Sequence, residues 1–526
     1  MFDVLIENGE IVDGSGQDGF CADIGIKDGK IAAIGNLKGQ ESAERVEAAG
    51  LTVAPGFVDI HCHSDSVLFK KPREQSKILQ GVTTETIGNC GLSAAPVNPD
   101  TLDLLQKYTA AIFAGGKLDW NWQTTGEFLE CIESRKTIGN VAALVGHGTV
   151  RIAVMGFENR EPSSAELARM QQLVKESLAE GAFGLSSGLI YPPGVFSQTE
   201  EMIELCRPVA AAGGLYATHM RNEGTWLVES VEETIRVAQE TGVSVEISHH
   251  KAAGQSNWGK VNRSLDRMMA ASGQGLNIHC DVYPYIASST VLGAVLPPWA
   301  QEGGVEKLLQ RLADPGCRRR IKTEFTAGLP GWDRFATGDN WDRIVIASCN
   351  VHHEWEGKSL AALAKERSQE PAETLFDVML EEHGDILMMA FMMCEEDVVT
   401  ILRHPLSMVG SDAIPSAGKP HPRFYGTFPR ILRKYVREDK VLTLPEAIRK
   451  MSAVPAKKLG LTDRGLIRVG MAADIAVFDA ATVADRAEYH DPCHYATGMD
   501  TVIVNGRLAV RQGRYTGELA GRVLRS

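Results

Sequence analysis

The sequence has no apolar run approaching the roughly 18–20 residues that a membrane helix needs. Its first residues, MFDVLIENGEIVDG, lack the basic stretch that opens a signal peptide. Cysteine is sparse. Ten in 526 residues is too few for a disulfide scaffold, so thiols of a reducing compartment are expected, any of which could serve a metal. Cys21, Cys131, Cys206, Cys317, Cys349, Cys394 and Cys493 show no CxxC spacing, which argues against a structural zinc. Basic residues fall short of acidic ones, 54 against 67 for a net charge of −13. That balance argues against nucleic acid as a partner and leaves room for a local basic pocket that takes a small anion. Low-complexity segments and internal repeats are missing too, and Gly213-Gly214 reads as a helix stop rather than a phosphate loop. What is present, 44% hydrophobic and 23% charged residues, is globular composition and excludes disorder. A soluble cytoplasmic protein with no membrane partner is expected.

Both ends read as short strands: Val4-Leu5-Ile6, Ile24-Gly25-Ile26 and Lys30–Gly35 at the start, Asp474–Asp479, Thr501–Val504 and Arg507–Val510 at the end. This predicts one small β-sandwich domain assembled from residues 1–54 and 465–526. Between them, over 55–464, apolar runs alternate with amphipathic helices. The runs are 57–63, 82–90, 141–149, 182–190, 215–221, 243–251, 276–283 and 406–412. Helices are predicted over 163–180 from the capping box Ser163…Glu166, over 197–212 from Ser197…Glu200, and over 225–241 up to Gly242. Eight strands with helical crossovers predict an α/β fold, the (β/α)8 TIM barrel. The gap of about 284–405 after the seventh run is too long for one crossover and predicts an insertion, with helices around 305–325 and 359–383.

Polar residues gather at the carboxyl ends of these runs, the end where barrels of this kind carry their active sites. His61 and His63, two apart on a strand, point to one side. Cys90 ends the second run, His219 the fifth, His249 the sixth and Asp412 the eighth. Each alone is weakly informative; a lone strand-end histidine is more often structural, and Cys90 alone would be a small buried hydrophobe. Together, nitrogen and sulfur ligands with a carboxylate suit zinc. Lys251 and Arg423 are charged donors beside the same mouth, where they could bind a carboxylate; Tyr283 and Ser289 could add neutral hydrogen bonds. His147, His250, His352 and His353 are read as structural, His147 being the one nearest a supporting role.

The stretch Ala54-Pro55-Gly56-Phe57-Val58-Asp59-Ile60-His61-Cys62-His63, the later His219, His249 and Asp412, and Gly470-Met471-Ala472-Ala473-Asp474 resemble the amidohydrolase superfamily. Gly88-Asn89-Cys90-Gly91, Ser248-His249-His250-Lys251, the stretch 281–290, His421-Pro422-Arg423 and 426–430 look like its N-acyl-D-amino-acid deacylases, the D-aminoacylases. Hydantoinases and dihydroorotases usually bridge two metals with a carboxylated lysine on the fourth strand, and here that strand reads Gly184-Leu185-Ser186-Ser187-Gly188.

The resemblance implies that Cys90, His219 and His249 hold one zinc tightly, with His61, His63 and Asp412 sharing Cys90 at a weaker second site. It implies Asp412 as the proton-transferring residue, and Lys251, Tyr283, Ser289, Arg423 and Tyr191 as substrate contacts. The small-molecule substrate it implies is an N-acyl-D-amino acid. Val291–Trp299 carries no charge, and an unpaired carboxylate buried there would cost several kcal/mol, so a neutral, apolar side chain is expected. Cyclic-amide hydrolysis, an acidic side-chain preference and a non-catalytic scaffold are the alternatives.

Overall fold

The structure is a computed structural model and describes residues 1–71, 73–113, 118–329, 331–335 and 340–526. Positions 330 and 336–339 of the predicted insertion lie outside the described residues. The architecture is α/β. Parallel strands form at Phe57–Asp59, Val82–Ile87, Asn140–Ala143 with its continuation Val145–Gly146, Gly184–Gly188, Leu215–His219, Ser244–Ile247, Ile278–Val282 and Ser407–Val409. Each falls within a predicted run or within a residue of one. Pairing follows chain order through all of them. The eighth returns to the first: Cys62 bridges Ala413, and the amide of Asp412 donates to the carbonyl of His61 at 2.7 Å. These strands are buried along nearly their whole length, which is why they read as apolar runs rather than alternating ones.

Helices Ser164–Ala179, Thr199–Ala211, Leu227–Thr241 and Lys260–Gly273 cross between the later strands. Ser163 caps the first through the expected box with Glu166, and Gly242 closes the third in the left-handed region at φ +74°. Ser197 does not cap the second. Its hydroxyl donates to the Gly194 carbonyl at 2.7 Å, finishing the short turn Gly194–Phe196, and the helix begins two residues later.

The two chain ends share one nine-stranded sheet. Its seam is the antiparallel pair Thr52–Pro55 with Ile475–Phe478, and Ile6, Ile24, Val53, Ile475 and Ile503 pack within it. The segment after the seventh strand carries a feature that sequence periodicity did not reveal, an antiparallel sheet of Ser288–Val291, Ile386–Ala390 and Ile344–Cys349 with its own apolar core. Each predicted helix there is two. Val305–Ala313 and Pro315–Ala327 break at Asp314, and Leu360–Arg367 and Pro371–Glu381 break before Pro371. Proline offers no N–H and favours an extended predecessor, and Asp314 and Glu370 are both extended, so each proline starts a new helix here.

A buried charge pair fastens the first strand to the eighth. The Lys77 ammonium contacts the Asp59 carboxylate and donates to Ser411 Oγ at 2.7 Å; Ser411 donates to Asp59 through Oγ at 2.6 Å and its amide at 2.8 Å. Lys77→Met would strand Asp59, which is fully buried, and should lower the unfolding free energy by about 3–5 kcal/mol in urea titrations. A change below about 1 kcal/mol would show that the pair does not hold the seam.

Candidate metal centre and substrate pocket

The second strand ends in Gly88-Asn89-Cys90-Gly91, a turn that forces Cys90 inward. A Cβ on Gly88 (φ +75°) would lie 2.1 Å from the Leu144 carbonyl, so only glycine fits. From the fourth strand, Ser186 Oγ donates to the Gly88 carbonyl at 2.5 Å and accepts from the Gly91 amide at 3.0 Å. The strand that lacks a lysine thus clips the cysteine turn in place. Cys90, His249 and Asp412 have φ of +54°, +37° and +48°. Non-glycine residues reach this region at a cost of order 1–3 kcal/mol and keep it mainly where the surroundings impose it.

All six predicted ligands converge. Cys90 Sγ lies 3.3 Å from His61 Nε2 and 3.6 Å from His249 Nε2, and His249 Nε2 lies 2.9 Å from His219 Nδ1. Asp412 Oδ1 is 3.4 Å from His61 Nε2 and 3.3 Å from His63 Nε2. Ligating atoms of His61, Cys90, His249 and Asp412 lie within 4.8 Å of one another, all buried. Burial opposes charge on each, yet the neighbours reverse it. His61, His219 and His249 hold the Cys90 thiol well below its ordinary range, and Arg423, His249 and His61 do the same for Asp412. Cys90, Asp281 and Asp412 raise His61 well above the usual imidazole range. A thiolate and a carboxylate buried side by side call for positive charge at their centre. The donor set, imidazole nitrogen, thiolate sulfur and carboxylate oxygen, fits a divalent metal.

Two acidic residues that sequence reasoning gave no role orient the imidazoles. Glu223 Oε1 is 2.9 Å from His249 Nδ1 and accepts from Lys251 Nζ at 2.6 Å, while its other oxygen is 3.6 Å from His219 Nε2. Asp281 Oδ2 is 3.1 Å from His61 Nδ1 and accepts the His249 amide at 3.0 Å. Carboxylates behind metal-binding imidazoles fix their tautomer and orientation. Glu223 follows His219 by four residues, the one sequence cue available; Asp281 sits inside the family-like stretch 281–290.

Tyr191, Lys251, Tyr283 and Ser289 line the same pocket as Cys90 and Asp412. The Tyr283 hydroxyl is buried without a partner among the described residues, and Tyr191 OH shares a 2.7 Å hydrogen bond with Thr290 Oγ1. Arg423 is not at the pocket wall. It is fully buried behind it, with Nη1 2.8 Å from Asp412 Oδ2, Nη2 donating to the Ser289 carbonyl at 3.1 Å, and the guanidinium 4.7 Å from the Tyr283 ring centre. His147 stands away from the cluster, its Nε2 2.7 Å from Glu201; His250 turns to the opposite side, 2.8 Å from Ser264 Oγ.

A buried cluster of imidazoles, thiolate and carboxylate at the carboxyl ends of parallel strands defines a metal-dependent hydrolase. The profile of the amidohydrolase family matches residues 44–510, and the chain belongs to that family. It is 38% identical to a D-aminoacylase of Alcaligenes xylosoxydans xylosoxydans over 99% of this chain and 97% of the relative. A solved D-aminoacylase, described by a binuclear metal center with one-metal activation and second-metal attenuation, superposes with TM-score 0.84 at 37% identity over 100% of both chains. N-acyl-D-glutamate deacylase from Bordetella bronchiseptica, solved with zinc and a phosphonate mimic of the reaction tetrahedral intermediate, gives TM-score 0.84 at 34% identity over 100% of both.

Glu223→Gln should weaken zinc affinity by about 10–100-fold in competition titrations with a chelator while leaving the fold intact by circular dichroism. Unchanged affinity would remove Glu223 from the support of the site.

Proposed function

We propose that this protein hydrolyses the amide bond of N-acyl-D-amino acids, releasing a carboxylate and a free D-amino acid, with zinc as its metal. The convergence of Cys90, His219, His249, His61, His63 and Asp412 in one pocket carries the proposal, and the D-aminoacylase similarity supports it. On this reading the parallel strands close as a (β/α)8 barrel over residues 55–464, and 1–54 with 465–526 form the β domain. Cys90, His219 and His249 hold the tight zinc, and His61, His63 and Asp412 a weaker second one. The protein works in the cytoplasm; no helix among the described residues is long and apolar enough to cross a membrane.

Zinc, when bound, polarises an amide carbonyl and lowers the pKa of water toward neutrality. The chain's own groups do the rest. Asp412, held ionised by Arg423, takes the proton of the attacking water and passes it to the leaving amine nitrogen. Lys251 has donors to spare beyond the one it gives Glu223. Lys251, with Tyr283 OH and Ser289, receives the α-carboxylate, and Arg423 supports Tyr283 and Ser289 from behind the pocket wall. Tyr191 covers the site, its ring 5.0 Å from that of His219.

Apart from Lys251, the described pocket lining holds no cation outside the histidines; Leu92, Ile112, Phe335 and Ile414 face the space. This supports a neutral, apolar side chain such as that of leucine, methionine or phenylalanine. Cyclic-amide hydrolysis is disfavoured by the fourth strand, where Ser186 serves the cysteine turn.

Two measurements test the proposal. Amino-acid release with zinc present should occur from N-acetyl-D-methionine and not from N-acetyl-L-methionine; hydrolysis of neither, or faster release from N-acetyl-D-glutamate, would contradict it in activity or in side-chain preference respectively. Asp412→Asn should keep the tight zinc and lose about 100-fold to 10,000-fold in kcat, the range of a general acid–base group; retained turnover would move the proton transfer elsewhere.

A further inference from the structure

Beyond Tyr191 and Thr290 lies a second and larger cavity, of about 330 Å³. It shares Leu92, Ile112, Tyr191 and Thr290 with the metal-site pocket, so side chains alone divide the two spaces. Its further walls include Phe157, Val291, Gly293, Leu308 and Met379. Its charged lining residues are Lys107 and Glu306, exposed and paired at 2.6 Å, and Asp385 beside His383. A mainly apolar chamber next to a hydrolytic centre is a binding compartment for an apolar group.

Position decides which group. The groups at the pocket wall that would take the α-carboxylate, Lys251 and Tyr283, follow the sixth and seventh strands. The cavity walls follow the second and fourth strands, through Leu92, Ile112 and Tyr191, and continue into the insertion. With the scissile amide at the donor cluster, the amine half of the substrate points toward Lys251 and the acyl half toward the cavity. A cavity of roughly 150 Å³ accommodates benzene, so this one has room for about twice as many heavy atoms.

We propose that this cavity is an acyl-chain compartment, and that the enzyme's preferred substrates carry an extended aliphatic or aromatic acyl group, of about octanoyl size, in place of acetyl. The inference rests on the deacylase function proposed above. The chain passes over the sill made by Tyr191 and Thr290 and ends against Gly293, Leu308 and Met379. Gly293 gives the means of testing it. A Cβ there would meet Gln301 Oε1 and Met379 Cε at 3.7 Å and Leu308 Cδ2 at 4.0 Å, ordinary contacts with side chains rather than backbone, so alanine fits there, and leucine takes up more of the space beside them.

The experiment compares kcat/KM for acetyl, butanoyl, hexanoyl and octanoyl derivatives of D-methionine in the wild type, Gly293→Leu and Gly293→Ala, and binding of octanoate against acetate by calorimetry. In the wild type, kcat/KM should rise about threefold to fourfold per buried methylene, the equivalent of about 0.8 kcal/mol each, and octanoate should bind more tightly than acetate. Gly293→Leu should cut the octanoyl-to-acetyl ratio at least tenfold, and Gly293→Ala should lower it more modestly should the leucine variant not fold. A flat or falling chain-length profile with acetyl hydrolysed, or ratios and octanoate binding unchanged by the substitutions, would overturn the compartment and leave the deacylase standing. Hydrolysis of no N-acyl-D-methionine at all would overturn both.

Discussion

The organising constraint of this molecule is the burial of a thiolate and a carboxylate among four imidazoles, with Cys90, Asp412, His61 and His249 within one small sphere. Isolated buried charges are among the costliest features a fold can carry, and they persist where a compensating charge sits between them. Protons on the histidines supply part of that charge, as the raised position of His61 and His249 indicates. A divalent cation held by these donors would supply it in the protons' place. The ligands, their strained backbone and the carboxylates behind them are intelligible as parts of that arrangement.

The strain is local and specific. Cys90, His249 and Asp412 all leave their strands in the left-handed region, and their ligating atoms lie together within 4.8 Å. Glycines on either side of Cys90 and the serine of the neighbouring strand make that turn possible. Glu223 and Asp281 then fix which nitrogen His249 and His61 offer. Arg423 joins the two functional tasks, because one guanidinium holds Asp412 ionised, packs on Tyr283 and is tied to Ser289.

Much of this was legible in the sequence, and for physical reasons. Strands buried on both faces announce themselves as continuous apolar runs, and their order follows the chain because each crossover returns to the next position. His61 and His63 stood out because period-two spacing on a strand puts both on one side. What escaped depends on contacts between distant segments. The sheet formed by Ser288–Val291, Ile344–Cys349 and Ile386–Ala390 pairs strands up to about a hundred residues apart, and no local pattern encodes such pairing. Arg423 was legible as a cation near the mouth, but its burial against Asp412 was not. Glu223 sat in a loop, where an acidic residue is usually solvated, and only its distance from His249 reveals its task. Helix breaks at Pro315 and Pro371 were written in the sequence and follow from proline's missing donor.

The most direct test of this account is anomalous X-ray diffraction from crystals of the zinc-loaded protein, recorded on either side of the zinc absorption edge. A peak that lies between Cys90 Sγ, His219 Nδ1 and His249 Nε2 is the predicted result, because those three atoms already converge. Zinc bound elsewhere, with this cluster left to protons, would contradict it.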